Sequence, residues 1–468
     1  MLTTINMLIL GLVAFCVVCG SIVSRTTPVW IGLLLLFFGN MASGASSASS
    51  HVSLLDFWGR FFPTLAIGLL LLGVLARRSF TSGFVVLGRG FVFSFFPFCV
   101  LLVISAIYND SGLRDTTIAF GTYLRYPLFF LLLINSNLPV EQYGSFIRVF
   151  CFLTLLQIPV TMYETVVADQ WGANVEGTFG SNHGLVAVLL FAQCSFLSRW
   201  LVVSRGSRLY LGISFALLVP SLVGDIMIGI ILFPIVAVFL ILRHYGASKL
   251  WAATRRMAAM FLVVASLCGA LYVTVDPIRS YFDSLMLVHK VGGYRESIDW
   301  RDKALANWAS VGHLTILPLS FPLLLEDPVR LVWGFGPEAA RGGVTSSELD
   351  SGVVCKKLLE QGIFCRGPQT FKSLMEFGIA GSFLQLVPFL FLWRSIGKRL
   401  RPGVSPREKT IWLTFQGACL LNILLLPWYI GAWRMDWFCL PFWLIVATAY
   451  VVAQQGNSLG SQTPYQNA

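Results

Sequence analysis

The feature that most constrains this chain is its succession of long apolar segments with almost no charge. A helix needs about 20 predominantly apolar residues to cross the hydrocarbon core of a membrane. Segments of this kind lie at approximately 5–24, 28–43, 58–76, 90–108, 116–136, 146–162, 183–203, 208–223, 224–242, 257–275, 371–393, 411–431 and 437–454. Only 12% of the residues are charged, about half the share of a soluble protein. The sequence therefore predicts an all-α, polytopic membrane protein. We expect 12 or 13 spans, because 28–43 is short and the pair at 208–242 is closely joined.

The charges indicate how these spans are oriented. Connections on the cytoplasmic side of a membrane protein carry an excess of Lys and Arg. Four connections hold 16 bases and a single acid, Glu408: Arg77, Arg78, Arg89, Arg199, Arg205, Arg208, Arg243, Lys249, Arg255, Arg256, Arg394, Lys398, Arg399, Arg401, Arg407 and Lys409. We place all four in the cytoplasm, and 163–182 and 277–370 on the outer side. The net charge of +11 is then a topology signal, and no nucleic acid partner is needed to explain it.

This topology divides the chain into four parts. Residues 1–276 form spanning helices with short loops, 277–370 a large outer loop with short helices, and 371–454 the last spans. Residues 455–468 form a polar tail that we expect to be disordered and cytoplasmic. The first 24 residues have no basic segment before their apolar run, which favours an uncleaved anchor over a signal peptide.

Two of the ten cysteines, Cys355 and Cys365, lie in the outer loop, where a disulfide is permitted. On one straight helix they would be about 15 Å apart, so a bridge requires the chain to turn. The two cysteines therefore have two alternative states, a disulfide or two free thiols, and both stay open. The chain has no nucleotide-binding glycine loop, no H-E-x-x-H and no paired C-x-x-C, and we predict neither a metal site nor a cofactor.

Charged residues inside predicted spans are candidates for function, because they are costly in lipid. They are Arg60, Arg125, Asp225 and Glu376. Arg125 is the nearest to mid-span, whereas Arg60 could extend to the interface and Asp225 could cap a helix.

The outer loop has four recognisable parts. Residues 294–308 have helical character, and the apolar stretch Leu314–Leu325 is broken by prolines and should lie in the interface or fold back against the bundle. A glycine turn follows at 334–338, and then an amphipathic helix at roughly Val353–Gln361. Arginines are spread through the loop at 295, 301, 330, 341 and 366, and a guanidinium matches phosphate oxygens well.

Three segments together resemble the O-antigen polymerase and ligase superfamily of bacterial envelope glycan assembly. Gly177-Thr178-Phe179-Gly180-Ser181-Asn182-His183 is similar to the G-x-F-x-x-x-N entry of a span. Trp333-Gly334-Phe335-Gly336-Pro337 is similar to the L-x-G-x-G-P turn late in the large loop, and Thr370–Gly381 to the L-x-x-L-x-E-x-G-x-x-G start of the next span. The ordered set covers roughly residues 110–450.

The resemblance implies a GT-C-like, metal-independent glycosyltransferase in the bacterial inner membrane, with its active loop in the periplasm. Such an enzyme moves a glycan from an undecaprenyl diphosphate donor to an acceptor glycan. A polymerase joins lipid-linked repeat units into O-antigen or exopolysaccharide, whereas a ligase transfers the glycan to lipid A core. In the ligase branch a His usually lies shortly before the span that follows the large loop. This chain has Arg366-Gly367-Pro368-Gln369 there, without a His, and this favours the polymerase. Membrane lipids, a chain-length regulator and other export proteins are the further partners implied.

The chemistry assigns roles to two sets of residues. The acceptor hydroxyl needs a general base, for which His183, His313 and Glu176 are all candidates. The leaving diphosphate needs positive charge. Candidates for that contact are Arg341, Arg295, Arg301, Arg366 and Arg125. A different class of protein, a lipid-linked sugar flippase or transporter, fits the span number and Arg125 but not the large Arg-rich loop.

The topology makes a direct prediction. Membrane-impermeant thiol reagents applied to intact cells should label cysteines engineered in 277–370 but not one at Pro402, which lies among the cytoplasmic bases. Labelling of Pro402→Cys in intact cells would reverse the topology and move the loop to the cytoplasm.

Overall fold

A computed structural model describes most of the apolar part of the chain. The described residues are 26–31, 54–82, 88–167, 175, 177, 182–203, 207–223, 227–246, 316–340, 353–360, 369–399, 405–425 and 436–460, with single positions between 251 and 273. Within these ranges the chain is mostly helical and contains no strand. The helices are α1 (Leu54–Ser82), α2 (Arg89–Tyr108), α3 (Leu113–Asn135), α4 (Val140–Leu155), α5 (Gln157–Val166), α6 (Asn182–Val202), α7 (Ser207–Ala216), α8 (Val219–Val223), α9 (Met227–Tyr245), α10 (Ile316–Leu325), α11 (Pro328–Trp333), α12 (Val353–Glu360), α13 (Gln369–Arg399), α14 (Pro406–Leu425) and α15 (Asp436–Gly460).

The described helices have the length and apolar character of membrane spans. Six helical stretches are long and apolar enough to cross a bilayer: 89–108, 115–135, 140–166 (α4 and α5 together), 184–202, 228–245 and 370–398. The fold class is thereby supported as an all-α membrane protein. The predicted spans at 5–24, 28–43 and 257–275 lie wholly or mostly outside the described residues, so the number of spans and the large outer loop stay predictions.

The chain separates into two compact units. The first contains residues 1–153, 313–358 and 365–468, and the second contains 154–312 and 359–364. In the second unit α6 is the central helix and packs against α7 and α9. In the first unit α3 packs against α1 and α15, and α2 packs along α13.

Aromatic rings fill the centre of the first unit. Phe91 of α2, Phe130 of α3 and Trp443 of α15 meet with ring centroids 4.8–5.7 Å apart. All three side chains are almost fully buried. Lipid tails are as apolar as the helices, so tight packing of this kind, rather than escape from water, holds membrane helices together.

One end of the first unit collects basic residues from distant parts of the chain. Arg77 and Arg78 near the end of α1 donate hydrogen bonds to Ser136 O and Asn135 Oδ1, at the end of α3. Arg407 at the start of α14 pairs with Glu141 at the start of α4, 3.1 Å away. Two of the connections predicted to be cytoplasmic thus lie at a single end of the bundle, as the topology requires.

Two predicted features of the loop region are confirmed as local structure. The apolar stretch before the glycine turn forms the ten-residue helix α10, which packs against α11 and α13 instead of crossing the bundle. The predicted amphipathic helix is α12, and its Val354 N donates to Ala339 O, so that α12 covers the chain just after the turn.

The predicted span 371–393 differs from expectation, because α13 is broken at Gly378. This residue has φ 63° and ψ −164°, far from helical values. The Ser373 hydroxyl nevertheless donates to Gln385 Oε1 across the break, at 2.8 Å. On a straight helix twelve residues would separate them by about 18 Å, so the two halves must fold towards each other. Residues 369–377 are too short to span, while 379–399 extend about 31 Å and can cross alone.

The break predicts a specific effect of substituting its glycine. In Gly378→Ala the new methyl group would meet the carbonyl groups of Val332 and Leu331, and the positive φ alone costs a side chain about 1–2 kcal/mol. We expect a loss of stability of at least that size, measured as a lower temperature for loss of the helical circular-dichroism signal. Gly212→Ala in α7 is the matched control, since nothing lies within 4 Å of its added methyl group. Equal unfolding temperatures for the two variants would contradict the break.

Candidate functional site

The glycine turn after α11 docks directly onto the break of α13. Phe335 N donates to Met375 O at 2.7 Å, and Gly336 N donates to Glu376 O at 3.1 Å. In a continuous helix these carbonyls would accept from the amides of residues 379 and 380. The turn therefore supplies donors to the broken helix. Two of the three segments that resemble the glycan polymerase superfamily, some 40 residues apart in sequence, are thereby brought into contact.

Glycine is required on the turn side of this contact. Gly334 has φ 74° and Gly336 has φ 96°, a region that other residues rarely adopt. A methyl group on Gly334 would collide with the backbone of Glu376 and Phe377. The name clasp is used below for three parts together: the turn 334–338, the break of α13, and the polar end of α2, which is described next.

The end of α2 completes the clasp. The Ser105 hydroxyl lies 3.0 Å from Trp333 O and 3.4 Å from Glu376 O, and can donate to either carbonyl. Asn109 Nδ2 donates to Ser105 O at 2.9 Å and lies 3.4 Å from Gly334 O. Since α2 begins at Arg89 and is about 30 Å long, the clasp lies at the end of the bundle opposite the basic residues.

A buried carboxyl group lies at the centre of the clasp. Glu376 is fully buried, and Tyr123 of α3 donates its hydroxyl to Glu376 Oε2 at 3.1 Å. The rings of Tyr123, Phe98 and Phe377 contact one another with centroids 5.3 Å apart. A buried polar group in such apolar surroundings is tolerated when it is hydrogen-bonded. Glu376 therefore ties α13 to α3 at the point where α13 breaks.

Arg125, the mid-span charge that the sequence singles out, lies two residues further along α3. Its side chain is buried, and Nε donates to Thr64 Oγ1 at 3.2 Å. Thr64 in turn donates to Gly121 O at 2.7 Å. This bridge joins α1 to α3 and keeps a positive charge inside the bundle.

Two further cations lie beside the turn. The guanidinium of Arg330 is 4.8 Å from the ring centroid of Phe335, and Lys357 Nζ is 5.7 Å from the same ring. Arg330 is 3.7 Å from Asp327, and Lys357 is 3.4 Å from Glu326. Both cationic side chains are about one third exposed. Two ion pairs, each with a partly exposed cation, thus lie beside the turn.

Most residues predicted from the sequence lie outside the described part of the chain. These are Glu176, His313, Arg295, Arg301, Arg341, Arg366 and Cys365, and of His183 only the backbone, as the second residue of α6, is described. Their roles stay predictions. Cys355 is buried and takes part in a disulfide, whose partner is outside the described residues; its pairing with Cys365 is a prediction.

The remaining resembling segment belongs to the second unit. Gly177 has φ 59°, and its amide donates to Glu164 Oε2 of α5 at 2.9 Å. A side chain at this position would collide with Gln157. A left-handed glycine tied to the preceding helix explains why this segment begins with glycine.

Sequence reasoning missed Ser105, Asn109 and Tyr123, although each contacts the broken helix or the turn. A signal was present for the first two, since a Ser and an Asn lie one helical turn apart at the end of an otherwise apolar span. Lys357 was missed because its charge is ordinary on the polar face of an amphipathic helix.

Comparison with known proteins does not assign the chain to a family. No protein-family model matches it, and no curated protein matches it at a significant level. The resemblance to the glycan polymerase superfamily therefore depends on the three segments themselves.

The contribution of the Tyr123–Glu376 hydrogen bond to the stability of the protein can be measured. Tyr123→Phe keeps the ring packing and removes one donor from a buried carboxyl group, which should cost about 1–3 kcal/mol of stability. The control is Tyr108→Phe, at a tyrosine that is 53% exposed on α2 and should tolerate the change. Thermal unfolding of both variants measures the difference. Indistinguishable unfolding temperatures would show that the bond contributes nothing.

Proposed function

We propose that this protein is a bacterial inner-membrane glycosyltransferase that polymerises undecaprenyl-diphosphate-linked repeat units at the periplasmic face. The observation that carries the proposal is the clasp. Two segments selected by their resemblance to the glycan polymerase superfamily are bound to each other by backbone hydrogen bonds. We expect two segments that build one site to lie in contact in this way.

The position of the clasp supports the same conclusion. It lies at the end of the bundle opposite Arg77, Arg78 and Arg407, which the charge rule assigns to the cytoplasm. A donor built on a polyprenyl lipid has its diphosphate at the membrane surface. A site near the end of a spanning bundle can reach that group while the lipid tail stays in the bilayer.

The proposed reaction needs the protein to remove the proton of the acceptor hydroxyl and to stabilise the leaving diphosphate. An acceptor hydroxyl attacks the anomeric carbon of the donor sugar, the bond to the diphosphate breaks, and undecaprenyl diphosphate leaves. His183, His313 or Glu176 would remove the hydroxyl proton, and arginines would stabilise the leaving diphosphate. Arg330 and Lys357 lie beside the turn, each about one third exposed and each paired with a carboxylate. Glu376 is fully buried, so its part is to hold the clasp rather than to touch the substrate.

A flippase or transporter is the second candidate, and two observations favour it. Broken helices and buried mid-span charges are common at the binding sites of transporters, and this chain has both, at Gly378 and Arg125. A ligase acting on lipid A core would share the donor site and differ only in the acceptor.

A single assay separates these functions. Purified protein incubated with lipid-linked repeat units should give a ladder of polymers on a gel, whereas a single transfer to lipid A core indicates a ligase. Arg341→Ala, Arg295→Ala and Arg301→Ala should each slow polymerisation by roughly 30- to 1,000-fold, as expected for the loss of about 2–4 kcal/mol of charge stabilisation. Lysine at these positions should restore activity only in part, because it lacks the planar fork.

The control for the arginine series is Arg208→Ala, which removes a charge from the predicted cytoplasmic side. It should leave polymerisation unchanged once expression is matched. Normal ladders from all three outer-loop variants would overturn the proposed role of these arginines, and no product from the wild-type protein would favour transport.

A further inference from the structure

The two halves of α13 enclose a polar group that the clasp does not use. Gln385 is only 3% exposed, and its Oε1 accepts the hydrogen bond from Ser373. Its Nε2 has no hydrogen-bond partner among the residues that the structure describes. Exchanging the two amide atoms does not remove this feature, because Oε1 would then be the atom without a partner.

An amide donor of this kind is costly at its position. Gln385 lies about 10 Å along the spanning half of α13, counted from the break. A buried polar group without a hydrogen bond costs about 1–3 kcal/mol, and more in hydrocarbon. Non-helical backbone at this depth is tolerated where it is buried in protein or lines a polar cavity. The angle between the halves of α13, bounded by Ser373 and Gln385, is called the notch below.

The chemistry of the notch selects its ligand. A hydroxyl group and a carboxamide are both uncharged, so they match an uncharged partner that can donate and accept hydrogen bonds. Glu376 follows Ser373 by three residues on the same short half-helix and supplies no counter-charge for an anion. A phosphate group is therefore a poor occupant, and a hydroxyl-bearing ligand is a good one.

We propose that the notch of α13 binds an uncharged, hydroxyl-bearing ligand through Ser373 and Gln385. If the protein is the glycosyltransferase proposed above, this ligand is the acceptor saccharide, and that identification rests on the proposed function. The notch lies on the helix whose break is held by the turn. Binding there would place acceptor hydroxyls next to the clasp, where Arg330 of α11 and Lys357 of α12 lie beside the turn.

Cysteine reactivity tests the notch without any glycan substrate. The full chain carrying Ser373→Cys, in lipid nanodiscs, is treated with hydroxyethyl methanethiosulfonate, a neutral hydroxylated reagent, or with its anionic sulfonatoethyl analogue. The cysteine thiolate displaces methanesulfinate and forms a mixed disulfide, which peptide mass spectrometry assigns to its position. Ser195→Cys is the matched control: Ser195 is equally buried, but its hydroxyl donates within its own helix to Phe191 O.

The notch predicts an ordered set of rates. With the neutral reagent, Ser373→Cys should react at least about tenfold faster than Ser195→Cys. Ser373→Cys should also react about tenfold faster with the neutral reagent than with the anionic reagent. A tenfold difference in rate corresponds to the contribution of about one hydrogen bond. Adding Gln385→Leu should remove most of this advantage. Gln385→Cys probes the same notch from the other half-helix and should show the same preference, which keeps the test valid if one variant folds poorly.

Three results would overturn the proposal. The first is equal labelling of Ser373→Cys and Ser195→Cys, and the second is equal labelling of Ser373→Cys by the neutral and anionic reagents. Phe383→Cys, at a 62% exposed position on α13, shows how fast the reagent arrives through lipid, and equal labelling of Phe383→Cys and Ser373→Cys is the third. Because no lipid-linked donor is used, a failed polymerisation assay and a failed labelling assay can be told apart.

Discussion

The architecture of this protein around the clasp depends on satisfying the backbone hydrogen bonds of a broken helix. Gly378 takes α13 out of helical conformation, so the carbonyls of Met375 and Glu376 need donors from elsewhere. Both residues are fully buried, so water cannot supply these donors, and an unsatisfied buried carbonyl costs about 1–3 kcal/mol. The amides of Phe335 and Gly336 fill this requirement. The turn, the break and the end of α2 therefore depend on one another, so that a change in one of them disturbs the other two.

This requirement explains the composition of the clasp. Gly334 and Gly378 are needed because two stretches of backbone approach each other too closely for a side chain on either residue. Ser105 is needed because the turn brings a further carbonyl, Trp333 O, against α2. α12 then covers the turn, and the disulfide of Cys355 fixes α12 covalently. A rigid support of this kind suits a site that must hold reacting groups at fixed positions.

The sequence predicted the helical class and the position of the six candidate spans that the structure describes, because apolar length determines them. It also predicted α12 from its amphipathic pattern and the glycine turn from Gly334 to Pro337. It could not predict the break, since Gly381 and Gly397 lie in the same helix and stay helical; the choice of Gly378 is made by contact with a turn some 40 residues away. Tyr123 escaped prediction for the same reason, because its partner Glu376 is 253 residues distant. Arg125 could be predicted, as a charge in an apolar span needs no knowledge of the fold.

We propose that the clasp supports transfer of a lipid-linked glycan. The most direct measurement is the amount of undecaprenyl diphosphate that purified protein in nanodiscs releases from lipid-linked repeat units, compared with the number of glycosidic bonds formed. We expect one molecule of undecaprenyl diphosphate to be released for each bond formed, and a strong loss of both in Gly334→Ala, which cannot close the clasp. Movement of the intact lipid-linked glycan across the bilayer, with no release of undecaprenyl diphosphate, would contradict it.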